Sequence, residues 1–93
     1  MTSKRSVDVF TDLGFDPAEA ENLRIRSAMM GAVISFIRQR KLSQSDAAEL
    51  LGVTQPRISD LTRGKIHLFS IDSLVKMLSA AGLRLDVRFK RVA

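Results

Sequence analysis

Ninety-three residues leave room for one hydrophobic core, but not for a core and a separate catalytic domain. The chain has no cysteine and a single histidine, which excludes a disulfide framework, a thiolate metal site and a thiol nucleophile. The formal net charge is +5, and a basic body favours polyanionic partners, because each lysine or arginine set against a phosphate releases counterions.

The charge is unevenly spread. Residues 1–22 hold two basic and five acidic side chains, a net −3, whereas residues 23–93 hold thirteen basic and five acidic, a net +8. The N-terminus lacks a basic start followed by an apolar core, and no apolar run approaches the roughly 18 residues a membrane span needs. These features predict a soluble, cytoplasmic chain that does not associate with membrane.

In chain order, Val7, Val9, Phe10, Leu13 and Phe15 sit among aspartates without a clean period, which predicts a loosely ordered arm over 1–15 with a short strand at 6–10. Asp16-Pro17-Ala18-Glu19 is a helix start, with an acceptor at N-cap, proline at N1 and a carboxylate at N3. Ile25, Met29, Ala32, Val33, Phe36 and Ile37 then recur at helical spacing and predict one buried stripe ending before Arg40 and Lys41. Gly31 is a candidate kink or close crossing. Ser43-Gln44-Ser45-Asp46 opens a second helix whose apolar face is Ala47, Ala48, Leu50 and Leu51, stopped by Gly52. Thr54 is expected to cap a third, its hydroxyl bonding the Arg57 amide because Pro56 has none to offer, and Gly64 ends it. Ser70 caps a fourth, with Ile71, Leu74, Val75 and Leu78 inward and Gly82 as its stop. From Leu83 the pattern alternates: Leu83, Leu85, Val87 and Phe89 on one side, Arg84, Asp86 and Arg88 on the other, which predicts a strand with one buried face.

No Ser/His/Asp set, paired carboxylates or phosphate-cradling glycine loop can be assembled, so no catalytic residue, metal site or cofactor is expected. His67 reads as a structural or surface histidine, and Met29, Met30 and Met77 as packing residues.

Gln44 to Arg63 is the informative stretch. Ala48 has almost no side chain where the second helix must be crossed closely, Gly52 can take the positive φ of a tight turn, and Val53, Ile58 and Leu61 tie the third helix inward. That leaves Gln55, Arg57 and Asp60 facing mostly outward. With Ala47, Ala48, Leu51, Gly52, Val53, Ile58 and Leu61 in place, followed by T-Q-P-R-I-S and R-G-K, the stretch resembles the Xre/Cro type of helix-turn-helix. The resemblance implies a mainly α, lambda-repressor-like fold over 16–93, departing from that pattern by its C-terminal β-strand.

It further implies a recognition helix beginning at Thr54 that enters the major groove of double-stranded operator DNA. Gln55 and Arg57 are the expected base readers, for adenine and for guanine O6 and N7. Thr54 and Pro56 would touch a thymine methyl, and Ser59 lies in the same helix. Ser43 and Gln44 would meet a phosphate, and Arg63 and Lys65 the opposite strand's phosphates. Asp60 either accepts from cytosine N4 or caps a neighbouring side chain.

A lone strand is not stable, so 83–89 needs the 6–10 segment, a second protomer or another protein, and Leu83, Leu85, Val87 and Phe89 are the candidate homodimer seam. The strand, the V-D-V-F-T-D-L-G-F arm and F-S-I-D-S-L together resemble the HigA-like antitoxins. That resemblance implies a dimeric repressor of its own operon that also neutralises a partner toxin, commonly a ribosome-dependent messenger-RNA endonuclease. A free-standing Xre-type regulator and, more remotely, an RNA-binding or protein-interaction module stand as alternatives.

Overall fold

The computed structural model describes residues 13–92. The strand expected over 6–10, with most of the expected arm, lies outside them. Among the described residues there are four α-helices and one 3₁₀ turn, Ile66–Leu68. The helices are α1 (Pro17–Gln39), α2 (Gln44–Leu51), α3 (Gln55–Thr62) and α4 (Ile71–Ala80).

The start of α1 follows its sequence signal. The Asp16 carboxylate accepts from the amides of Ala18 and Glu19 at 2.8 and 3.2 Å, and Pro17 occupies the first turn. A side-chain hydrogen bond between Asp16 and Glu19 lowers the first carboxyl and raises the second. Ala20, Leu23, Met29, Met30, Val33, Phe36 and Ile37 form the buried face. Ala32, expected there, is exposed, because Met30, Val33 and Ile37 carry the stripe at i, i+3 and i+7 and Ala32 falls beside it. Gly31 is exposed too, and the helix runs through it unbroken.

The helix ends on a residue that the sequence gives no reason to expect. Lys41 takes φ +52°, the Leu42 amide reaches back to the Ile37 carbonyl at 3.1 Å, and this left-handed closure is one that glycine usually makes. In α2, the Ser43 hydroxyl caps the Asp46 amide at 3.0 Å, and Ala47, Ala48 and Leu51 are buried. Leu50 is not on that face: it is 46% exposed, one residue and about 100° of helix rotation away from Leu51. Gly52 at φ +71° turns the chain into α3, a conformation that costs a side-chain-bearing residue about 1–2 kcal/mol.

Thr54 is the N-cap of α3, but its hydroxyl makes no capping bond. The amides of Arg57 and Ile58 both go instead to the Thr54 carbonyl, at 3.1 and 3.2 Å, so the donor expected for the hydroxyl is already taken. Ile58 and Leu61 have no exposed surface. In α4 a reciprocal capping box joins Ser70 and Ser73, and Leu74, Met77 and Leu78 point inward. Val75, expected on this face, is 43% exposed; Met77 takes its place.

α1 packs chiefly against α4, and α2 against α3, with α4 closing on α2. Met29, Met30 and Met77 are core residues, joined by Phe69, which is 1% exposed. Beyond Gly82 the described chain has no regular structure, and no β-strand is found among the described residues. The expected strand at 83–89 is therefore corrected. The alternation is real as a pattern, but a strand exists only through ladder bonds to a partner strand, and this segment has none there.

Candidate nucleic-acid interface

α2 and α3 pack on one another across Gly52, so the inner face of α3 is fixed by Ile58 and Leu61 and half-covers Val53. The opposite face is thereby set outward. Thr54, Gln55 and Pro56 are exposed in its first turn. Because its capping role is empty, the Thr54 hydroxyl is left without a hydrogen bond among the described residues, and the Gln55 amide has none either. A carboxamide held in the first turn of a rigid helix, with both its donors and its acceptor open, has the equipment to read a base edge.

The remaining candidates are placed differently from one another. Ser43 and Gln44 are exposed at the start of α2, where the first-turn amides carry partial positive charge. The Ser43 hydroxyl is occupied in accepting from Asp46. Ser59 is half-buried, its carbonyl taken by Thr62 Oγ1 and the Arg63 amide, and Arg63 is exposed. Asp60 and Lys65 are brought together: Nζ lies 3.7 Å from Oδ1, and the Lys65 amide donates to the Asp60 carbonyl at 3.0 Å. Asp60 therefore caps a neighbour. The pair is worth little as stability, yet it offsets the repulsion a bare carboxylate would meet near a phosphate.

Arg57 departs from its expected outward orientation. Its Nη1 donates to the Leu68 carbonyl at 2.9 Å, and its guanidinium lies over the Phe69 ring, 4.2 Å from the centroid. The side chain is half-buried and holds the segment after α3 onto the helix. Its partner in this is Arg26 of α1, whose Nη1 reaches the carbonyls of Ile66 and Phe69 at 3.1 and 3.2 Å. Sequence reasoning missed Arg26. Its contacts lie 40 and 43 residues away along the chain, and nothing in its local pattern marks it.

His67 is exposed, and no group of acidic, histidine or cysteine side chains among the described residues is placed to hold a metal ion. None of the described helices is long and apolar enough to cross a membrane.

Two short helices at a glycine turn, the second anchored inward by two aliphatic side chains and presenting a polar first turn, are the arrangement of a helix-turn-helix DNA-binding domain. The comparison with known families agrees: residues 9–90 match a helix-turn-helix domain family, and the chain belongs to it. A search of the curated proteins finds none that matches.

Proposed function

We propose that the chain is a sequence-specific transcriptional repressor that reads operator DNA with α3, and that it serves as the antitoxin of a toxin-antitoxin operon. The observation that carries the DNA reading is the first turn of α3, where the side chains of Thr54 and Gln55 are exposed and, among the described residues, without a hydrogen bond, on a helix whose other face is locked by Ile58 and Leu61. Gln55 is the principal base reader, with Thr54 and Pro56 beside it. Ser59 and the Asp60–Lys65 pair follow along the helix, while Ser43, Gln44 and Arg63 meet phosphates. A base contact from Arg57 requires its guanidinium to leave Phe69, so Arg57 ranks behind Gln55.

A dimeric repressor is supported by apolar surface that the described chain leaves uncovered. Leu83, Leu85, Val87 and Phe89 are all exposed, Phe89 to 95%, and an apolar row of this kind calls for a protein partner. We assign it to a homodimer seam, in which two copies supply each other with the pairing a single tail lacks. The acidic N-terminal residues are assigned to a basic toxin surface.

Selection from a random duplex pool tests the reading. The expected product is a pseudo-palindrome with half-site centres about 10–10.5 base pairs apart. A pool that emerges without an enriched sequence refutes sequence-specific binding. Co-expression with a toxin-like neighbouring reading frame separates the antitoxin from a free-standing regulator: rescue of growth supports the first, and unrelieved toxicity the second.

A further inference from the structure

An open groove of about 560 Å³ lies beside the start of α3, lined by Asn22 and Arg26 of α1, Arg57, His67 and the first turn of α4. Two guanidinium groups converge on it through adjoining carbonyls of one short segment. Arg26 donates from Nε to Asn22 Oδ1 at 2.7 Å and from Nη1 to Ile66 and Phe69; Arg57 donates from Nη1 alone, to Leu68. Arg26 Nη2, and Nε and Nη2 of Arg57, have no partner among the described residues.

Both side chains are half-buried, and neither meets a carboxylate among the described residues. Two like charges held at one groove, bonded only to neutral groups, leave a positive potential that an anion would neutralise. The only carboxylate in the lining is Asp72, which is exposed at the start of α4. Planar guanidinium forks suit the paired oxygens of a phosphate.

We propose that this groove binds a phosphate group, clasped by the unused edges of Arg26 and Arg57. Because Arg57 belongs to the first turn of α3, the bound anion ties the recognition helix to α1 and to the 66–69 segment. The phosphate has two sources, a DNA backbone phosphodiester or a free phosphorylated small molecule, and the chemistry of the clasp is the same for both.

The test is a titration of inorganic phosphate into the full chain in chloride buffer at constant ionic strength, followed by NMR of the arginine Nε–H groups and the amides of 66–73. Saturable shifts at those groups are expected. Arg26→Gln or Arg57→Gln should weaken the binding at least about tenfold. Asp72→Asn removes the facing carboxylate without touching either arginine's bonds, and should tighten it severalfold. If a glutamine variant fails to fold, Asp72→Asn decides alone. Absence of saturable shifts, or an affinity indifferent to Asp72→Asn, overturns the proposal. Duplex DNA added to the phosphate-loaded protein then assigns the source: release of phosphate indicates the backbone, retention on the DNA-bound protein a free ligand. A chain that binds phosphate here but no duplex would refute the DNA reading and leave the clasp standing.

Discussion

Gln55 and Arg57 stand two residues apart in the same helical turn and do different work. Gln55 has open hydrogen-bonding groups and no core contact, so Gln55→Ala should leave stability nearly unchanged and cost roughly 1–3 kcal/mol on a selected duplex, with preference lost at one base pair. Arg57 is engaged internally, at Leu68 and over Phe69. Arg57→Ala should therefore lower folding stability by about 1–2 kcal/mol in urea titrations, through the lost charged hydrogen bond and the partly exposed cation–π contact. An unchanged urea midpoint would show that these contacts are not held in solution. At Asp16 and Glu19 the shared hydrogen bond separates two titrations. Asp16 is lowered, so its contribution to stability is present above its unfolded value and lost as pH falls through its folded one; Glu19 is raised, so its contribution is present below its unfolded value and lost as pH rises through its folded one. Carboxyl NMR should show Glu19 protonating first on acidification and Asp16 after it.

Among the elements, the helix starts were legible because caps are local chemistry: Asp16, Ser43 and Ser70 each accept from an amide two or three residues on. The inward residues of α3 were legible as well, since a glycine turn leaves a following short helix few ways to bury Ile58 and Leu61. Leu61→Ala should cost about 2–5 kcal/mol, the range for emptying a packed core site, and Leu50→Ala far less because Leu50 is half in solvent. What could not be read was decided between elements. Leu50 and Val75 are apolar and helical like their buried neighbours, and only the angle at which α2 and α4 meet the core turns them out. That Arg57 rests on Leu68 and Phe69 is set by the segment after α3, which its local pattern does not show. The left-handed Lys41 was hidden for a different reason, in that glycine signals such a closure and lysine does not. Lys41→Gly should relieve about 1 kcal/mol of backbone strain, less the extra entropy glycine loses on folding, and a thermal melt that falls instead would contradict the strain.

For the molecule as a whole, alternation over 83–89 is compatible with a strand but does not say whether a partner strand exists, because pairing is a property of two segments. The proposed seam places that partner in a second copy. Val87→Glu, a charge set into the apolar row, should shift the chain to monomer in light scattering and weaken operator binding, while helix content stays unchanged. A variant that remains dimeric would rule out the seam. Dimerisation would set two α3 helices about 34 Å apart, one turn of the duplex. The most direct test of DNA reading by α3 is the affinity ratio of a selected duplex to a scrambled one of equal length, measured at one salt concentration for the native chain and for Gln55→Ala. The account predicts a ratio of about 10³ or more for the native chain, reduced in the variant by loss of affinity for the selected duplex alone. Equal affinities for the two duplexes, or a ratio that Gln55→Ala leaves intact, would contradict it.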